Sequence, residues 1–198
     1  MLPVKHAGLA KSRLAPPAGI ARTQLARAIA LDSLDAALAC PAVGHVVVVT
    51  SDPVVGAPGQ RVAEVVPDPA TGLLGAVHAG VHRALARHGG PVAVLLADVP
   101  ALRPADLAVA LEECGRHPAA FVPDAEGTGT VLLTASEPSR LAPAFGPGSA
   151  ARHEAGGAVR LDLDLPSLRR DVDTWEALQQ ALALGVGPAT AEVTARGS

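Results

Sequence analysis

The chain has 198 residues, a formal net charge of −3, 49% hydrophobic residues and 18% charged residues. This length suits one well-buried domain, and the hydrophobic content excludes an intrinsically disordered chain. The slightly acidic balance argues against nucleic acid as a partner, because phosphate-backbone binding needs a basic face. The two cysteines form neither a disulfide framework nor a metal pair, and no apolar run is long enough to span a bilayer. We therefore expect a cytoplasmic protein without a membrane partner.

Short β-branched runs alternate along the chain with longer segments rich in Ala and Leu. A brief apolar run at Leu2–Val4 comes first, and the later runs that predict strands are residues 46–50, 62–66, 92–97, 120–123 and 131–134. The segments that predict helices are residues 21–39, 75–87, 104–116 and 174–184. This alternation predicts one α/β domain over residues 1–184, with a mostly parallel sheet and helices on both faces. Residues 185–198 are expected to form a flexible tail.

The loop after the first apolar run is the first candidate ligand site, since ligands bind beyond the carboxyl ends of the strands in open α/β sheets. Its sequence, PVKHAGLAKSRLAPPAG, holds Lys5 and Lys11, the two lysines of the chain, together with Arg13. Such a loop can surround a polyphosphate with cations and backbone N–H donors. It lacks the Walker A pattern, and by itself it is slightly more typical of a solvated basic loop.

Carboxylates supply the next candidates. Asp98 follows the most hydrophobic predicted strand, where it could hold Mg²⁺ over a phosphate or cap the following helix. Asp171 and Asp173 project the same way from an extended segment, a spacing that suits a shared cation. For Asp173, capping of the next helix is the stronger interpretation of the motif alone. Asp162 and Asp164 have the same spacing and compete for the metal.

Two glycine-rich segments and a histidine pair complete the candidates. The sequence GTGT at 127–130 opens a predicted strand, and FGPGS at 145–149 opens a short helix. Glycine lets the backbone approach an anion closely, although each segment alone is a common turn. His78 and His82 lie four residues apart on a predicted helix, a spacing more typical of a surface face than of a metal site. No catalytic dyad or nucleophile triad can be singled out.

Taken in order, six segments resemble the 2-phospho-L-lactate (phosphoenolpyruvate) guanylyltransferase family, which acts in the biosynthesis of coenzyme F-420. The segments are PVKHAGLAKSRL, DPATGLLGAV, LLADVPALRPADL, DAEGTGTVLL, FGPGSAARHEAG and LRRDVDTWEAL, and they extend from residue 2 to about residue 184. The resemblance implies a three-layer nucleotide-diphospho-sugar transferase fold. It also implies a Mg²⁺-dependent enzyme that transfers GMP from GTP to phosphoenolpyruvate or 2-phospho-L-lactate and releases pyrophosphate. GTP and a three-carbon phospho-acid would be its partners, and the product would pass to the next enzyme of the pathway.

The resemblance also implies roles for individual residues. The catalytic residues would be Lys11, Arg13 and Asp98. The residues that bind the nucleotide would be Lys5, Lys11, Arg13, Gly72 and Gly75. The ligands of Mg²⁺ would be Asp98, Asp171 and Asp173, which removes Asp162 and Asp164 from consideration. The residues that bind the phospho-acid would be Thr130, Gly146 and Ser149.

Two departures from the family pattern keep alternatives open. Leu74 stands where the family usually has an Asn, in GLNAAV, so a side-chain contact to the nucleotide is missing there. The first strand is also shorter than usual. The alternatives are a nucleotidyltransferase for another acceptor, such as molybdopterin or a sugar phosphate, and a catalytically weakened GTP-binding protein. The sequence does not choose between phosphoenolpyruvate, 2-phospho-L-lactate and 3-phosphoglycerate.

Overall fold

The computed structural model describes residues 1–8, 11, 13–56 and 63–196. Its strands are β1 (Leu2–Val4), β2 (Val47–Thr50), β3 (Glu64–Pro67), β4 (Val92–Leu95), β5 (Ala119–Pro123), β6 (Thr130–Ala135) and β7 (Val159–Arg160). Its helices are α1 (Arg22–Ala39), α2 (Gly72–His88), α3 (Pro104–Gly115), α4 (Ser149–Ala155), α5 (Pro166–Arg169), α6 (Trp175–Leu184) and α7 (Pro188–Ala195). Within these described ranges, no helix combines the length and the hydropathy needed to cross a membrane.

The strands lie side by side in the order β3-β2-β1-β4-β6-β5-β7. Strands β1, β2 and β3 pair in parallel, as do β5 and β7, whereas β6 runs antiparallel to both of its neighbours. Two backbone hydrogen bonds join β1 to β4: the Met1 amino group donates to the Ala93 carbonyl oxygen at 2.6 Å, and the Leu95 N–H donates to the Met1 carbonyl oxygen at 3.1 Å. The prediction of a mostly parallel sheet is confirmed, with β6 as the exception.

Different helices cover the two faces of the sheet. In β2, Val48 packs in one core cluster with Leu34 of α1 and Leu107 of α3, whereas Val49 packs in a second cluster with Val77 of α2. Because strand side chains alternate between faces, a strand covered on both sides must be apolar throughout, as β2 is. The result is the three-layer α/β arrangement that the sequence predicts.

Element boundaries differ from the predictions by two residues or more at three places. Helix α2 begins at Gly72 rather than at Gly75, with Thr71 as the preceding N-cap residue. Strand β4 ends at Leu95, two residues before the predicted end at residue 97. Strand β3 covers Glu64–Pro67, and Val62 of the predicted strand lies outside the described residues. These shifts leave the carboxyl ends of the parallel strands at the same edge.

The prediction of a flexible tail after residue 184 is wrong for most of that segment, which contains helix α7 packed on α1. The buried carboxylate of Asp32 in α1 accepts hydrogen bonds from the Ala189 N–H at 3.0 Å and the Thr190 N–H at 2.8 Å, at the start of α7. A Cβ atom at Gly187 would lie 2.4 Å from Asp32 Cγ, so glycine is needed for this close approach. Asp32 thus supplies the acceptor that a capping side chain normally provides.

Candidate active site

The charged residues that follow β1 and β4 meet at the carboxyl edge of the sheet. The Lys11 ammonium lies between two carboxylates, with its Nζ 2.8 Å from Asp98 Oδ2 and 2.9 Å from Asp173 Oδ1. Arg13 donates to the other oxygen of Asp173 at 2.6 Å. We call Lys11, Arg13, Asp98, Asp171 and Asp173 the charged cluster.

Lys11 is held firmly in this cluster. Its side chain is only 12% exposed, and its backbone φ of 53° lies in the left-handed region that non-glycine residues rarely adopt. Burial alone would lower the pKa of Lys11, but the charges and hydrogen bonds of Asp98 and Asp173 raise it above its ordinary value. Lys11 is therefore a permanent cation at neutral pH, and it neutralises carboxylates that would otherwise repel each other.

A backbone contact explains why positions so distant in sequence meet here. The Val172 N–H donates to the Asp98 carbonyl oxygen at 2.9 Å, and the Val172 side chain is fully buried. The interpretation of Asp173 as a helix cap is wrong, because Thr174 caps α6 by accepting a hydrogen bond from the Ala177 N–H at 3.2 Å. Asp173 is thereby free to pair with the two basic side chains.

Asp171 brings more negative charge than the cluster neutralises. Burial and the nearby charge of Asp98 raise the pKa of Asp171 to about 7, with Lys11 acting in the opposite direction. The carboxylate oxygens of Asp124, Glu126 and Asp171 lie within 4.8 Å of one another. Asp98 Oδ1 is buried and has no hydrogen-bond partner among the described residues. Crowded carboxylates and a buried oxygen without a partner supply oxygen ligands of the kind that Mg²⁺ takes. Of the three predicted ligands, however, only Asp171 belongs to this group of three carboxylates, and Asp98 and Asp173 pair with Lys11 instead.

Asp52 supports the basic loop and was missed by the sequence reasoning. Its carboxylate is 1% exposed and accepts hydrogen bonds from Arg27 Nε at 3.0 and 3.1 Å and from the Ala7 N–H at 3.2 Å. Burial pushes the pKa of Asp52 upward, but these hydrogen bonds outweigh it and hold the pKa below its ordinary value. Its position just after the apolar strand β2 was the available signal. The same rule, that ligands bind beyond the carboxyl ends of strands, singled out Asp98 after β4.

The residues predicted to bind the nucleotide extend along the same edge. Lys5 follows β1 directly and is exposed, and α2 packs against β1. Gly72 begins α2 with a φ of 85°, in the region that favours glycine. A Cβ atom at Gly75 would lie 1.8 Å from Thr71 Oγ1, so a larger residue there would require the Thr71 side chain to move. Leu74 is 39% exposed on this turn.

One of the three residues predicted to bind the phospho-acid, Thr130, makes a hydrogen bond with a histidine that the sequence reasoning missed. Thr130 Oγ1 is 2.9 Å from His153 Nδ1, and the Ala144 N–H donates to His153 Nε2 at 2.9 Å. The Ser149 N–H donates to the Gly146 carbonyl oxygen at 3.0 Å. Thr130, Ser149 and His153 are all buried. We call Thr130, Gly146, Ser149 and His153 the acid subsite.

Asp124 connects the charged cluster to the acid subsite. Its carboxylate lies beside Asp171 and accepts hydrogen bonds from the Thr128 N–H at 2.8 Å and the Gly129 N–H at 2.7 Å. The Thr128 carbonyl oxygen in turn accepts from the Ala150 N–H in the first turn of α4, at 3.1 Å. The loop between β5 and β6 therefore holds both regions in a fixed relation.

The candidate metal ligands that the sequence analysis did not favour lie elsewhere in the structure. Asp162 accepts hydrogen bonds from Arg160 at 2.8 and 2.9 Å, and these hold the pKa of Asp162 below its ordinary value. His78 and His82 are both exposed on α2. Nothing in these contacts restores either pair as a metal site.

A three-layer α/β fold with basic and acidic side chains at the carboxyl edge of its sheet defines the class: an α/β protein with a charged ligand site at the ends of its strands. The model of the MobA-like NTP transferase domain matches residues 25–182. The chain belongs to this family of nucleotidyltransferases.

Relatives agree with this assignment, and solved structures agree with the fold. The chain is 52% identical to a phosphoenolpyruvate guanylyltransferase of Streptomyces coelicolor, over 99% of this chain and 95% of the relative. It is 50% identical to one of Geodermatophilus obscurus, over 96% and 91%. Among solved structures, Rv0371c of Mycobacterium tuberculosis, crystallised with manganese, superposes with a TM-score of 0.56 at 22% identity, over 92% of this chain and 96% of that one. A protein of Desulfovibrio desulfuricans described as a nucleotide-diphospho-sugar transferase gives 0.57 at 16% identity, over 92% and 94%. The structural matches support the predicted fold.

Proposed function

We propose that the protein is a guanylyltransferase that transfers GMP from GTP to phosphoenolpyruvate, or to 2-phospho-L-lactate, and releases pyrophosphate. The charged cluster carries this proposal, because it places two cations and a surplus of carboxylate oxygens at one edge of the sheet. The names of the relatives at about half identity support the acceptor. In this proposal the enzyme acts in the cytoplasm, in coenzyme F-420 biosynthesis, and its product is consumed by the next enzyme of that pathway.

The bond changes need no general base from the protein. A phosphate oxygen of the acid attacks the α-phosphorus of GTP, the bond from that phosphorus to the oxygen bridging the α- and β-phosphates breaks, and this oxygen leaves with pyrophosphate. The nucleophile is already anionic at neutral pH, since the second pKa of a phosphate monoester is ~6. The barrier therefore comes mainly from bringing two polyanions together, and positioned cations lower it.

The residues of the charged cluster divide this work. Lys11 and Arg13 bind the triphosphate, and Lys5, Gly72 and Gly75 line the nucleotide side of the site.

Asp98, Asp171 and Asp173 would hold Mg²⁺, with Asp124 and Glu126 close to Asp171. When bound, Mg²⁺ would neutralise charge on the phosphate oxygens. Thr130, Gly146 and Ser149 hold the phospho-acid from the other side.

The direct test is incubation of the protein with GTP, Mg²⁺ and each of phosphoenolpyruvate, 2-phospho-L-lactate and 3-phosphoglycerate. Pyrophosphate release and the product mass are followed, with reactions lacking acid or containing EDTA as controls. We expect release that depends on both the acid and the metal. No release with any three-carbon phospho-acid would contradict the proposal. GTP binding by calorimetry without turnover would then favour a weakened nucleotide-binding protein, and turnover with a sugar phosphate or molybdopterin another acceptor.

A further inference from the structure

His153 is the most completely enclosed polar group of the acid subsite. It is 1% exposed, and its ring lies between those of Phe121 and Phe145, at centroid distances of 5.7 and 5.0 Å. A polar ring in such surroundings is stable only if both nitrogens are hydrogen-bonded. Both are, and their partners come from different parts of the fold: Thr130 begins β6, and Ala144 lies in the loop before α4.

The direction of these two hydrogen bonds follows from the backbone. The Ala144 N–H can only donate, so Nε2 of His153 must be the acceptor and carries no proton. Burial, with the charge of Arg152 as a smaller cause, lowers the pKa of His153 to about 4, so the ring is neutral at pH 7. A neutral ring with a bare Nε2 carries its proton on Nδ1, which therefore donates to Thr130 Oγ1.

This tautomer has two consequences for the subsite. Because Thr130 Oγ1 accepts from His153, its own hydroxyl proton points elsewhere, and no acceptor within the described residues takes it up. Because Nε2 holds Ala144, the turn that carries Gly146 and Ser149 is fixed relative to β6. One ring thus sets the hydroxyl orientation and shares in holding the turn, which Arg152 also holds by donating to the carbonyl oxygens of Ala144 and Pro147.

We propose that His153 is the positioning residue of the acid subsite: its Nδ1–H turns the Thr130 hydroxyl proton toward the phospho-acid, and its Nε2 holds the turn with Gly146 and Ser149 in place. The inference rests on the proposed function and adds a residue that acts through its neighbours rather than on the substrate. A phosphate or carboxylate oxygen of the acid is the acceptor that the Thr130 hydroxyl would meet.

Two variants remove the two hydrogen bonds of His153 one at a time. In His153→Gln the side chain reaches the Nε2 position and can accept from Ala144, but it loses the donor to Thr130. In His153→Asn the amide reaches the Nδ1 position and can donate to Thr130, but it loses Ala144. Loss of one buried hydrogen bond should raise the KM for phosphoenolpyruvate roughly 10-fold in each variant. The KM for GTP should stay within about 2-fold, because the nucleotide side is untouched.

Two controls separate positioning from packing. His82→Gln makes the same exchange on the exposed face of α2 and should leave both KM values unchanged. Thr130→Val removes the hydroxyl and keeps the side-chain shape, and adding His153→Gln to it should raise the KM for phosphoenolpyruvate no further. A purely structural role would lower stability and move both KM values together, or neither. Either result in folded variants overturns the inference.

Nitrogen-15 NMR of the wild-type ring gives a test that does not depend on variants folding. We expect a neutral His153 with its proton on Nδ1, and a proton on Nε2 would overturn the inference. Failure of the proposed function and failure of the role of His153 give different results. A wild-type protein that turns over no three-carbon phospho-acid contradicts the proposed function, whereas normal turnover with unchanged KM values in the variants contradicts only the role of His153.

Discussion

The charged cluster and the acid subsite lie at neighbouring points of the same sheet edge but are held together in opposite ways. In the charged cluster, Lys11 and Arg13 make ion pairs with Asp98 and Asp173, and burial together with the charge of Asp98 raises the pKa of Asp171 to about 7. In the acid subsite, neutral groups make single hydrogen bonds deep in the protein, around a histidine whose pKa is lowered to about 4.

The difference shows how one edge of the sheet can both exchange ligands and keep a fixed shape. The ion pair between Arg13 and Asp173 joins exposed groups and contributes little net stability, so Arg13 can exchange its carboxylate for a phosphate at small cost, whereas the nearly buried Lys11 is held in place. Buried neutral hydrogen bonds are costly to break and therefore fix a shape. The exposed side of the cluster, at Arg13, is suited to exchanging partners as substrates arrive, and the subsite to remaining unchanged.

The largest effect on this comparison is expected from removing a negative charge of the charged cluster. Asp98→Asn keeps the shape of the side chain but loses the negative charge that pairs with Lys11 and would bind Mg²⁺. We expect turnover to fall ~10²–10³-fold, the loss typical of one preorganised electrostatic group. Pyrophosphate release measures the effect, and circular dichroism verifies the fold. Activity close to wild type would remove Asp98 from the metal site.

The second prediction concerns the buried, neutral side of the comparison. The pKa of His153 is about 4 in the folded protein and ~6.5 when unfolded. Below pH 6.5 His153 binds a proton in the unfolded chain but not in the native state, so the free energy of unfolding falls as the pH drops toward 4. By pH 5 the loss is about 2 kcal/mol of unfolding free energy.

The raised pKa of Asp171 acts in the opposite direction between pH 4 and 7, so the raw stability curve mixes the two effects. The informative quantity is the difference between wild type and His153→Gln in urea unfolding at pH 7 and pH 5. We expect the advantage of the wild type to shrink by about 2 kcal/mol over this range. An unchanged difference would mean that His153 is not held neutral by its surroundings.

Much of the charged cluster could be predicted because its signals are local. Asp98 follows a long apolar run, and the carboxyl-end rule places such a residue at a ligand edge. What could not be predicted was that Lys11 pairs with the proposed metal ligands themselves, since that depends on a backbone contact between Val172 and Asp98 that spans 74 residues.

The acid subsite and the C-terminal helix show the opposite case. His153 has no local pattern, because its role depends on Thr130 and Ala144, which approach it only in the folded chain. Helix α7 has one local signal, Pro188 in its first turn, which is a common start of a helix. Its capping acceptor, Asp32, lies 157 residues from Ala189, so the sequence alone suggested a tail.

A smaller effect is expected from changing the shape, but not the charge, of a cluster cation. Lys11→Arg keeps the positive charge in a site where the side chain is 12% exposed and touches two carboxylates at once. A planar guanidinium cannot reproduce the compact contacts of an ammonium there. We expect turnover to fall roughly 10-fold, equivalent to about 1.4 kcal/mol of transition-state stabilisation. Arg13→Lys, at an exposed position, is the matched control and should cost less, and wild-type activity of Lys11→Arg would show that charge alone suffices.

The smallest expected effect is a gain on the nucleotide side, where the chain departs from its family. Leu74 is exposed on the first turn of α2, between the two glycines of the proposed nucleotide site. Leu74→Asn would add an amide able to hydrogen-bond GTP, and one such bond is worth about 0.5–1.5 kcal/mol. We expect the KM for GTP to fall roughly 3-fold, with the KM for phosphoenolpyruvate unchanged. Leu73→Asn, on the neighbouring exposed position, controls for the loss of apolar surface. If both variants behave alike, the family's Asn does not contact the nucleotide here, and the departure at Leu74 has no cost to binding. If only Leu74→Asn lowers the KM for GTP, a single contact can strengthen nucleotide binding without disturbing the acid subsite.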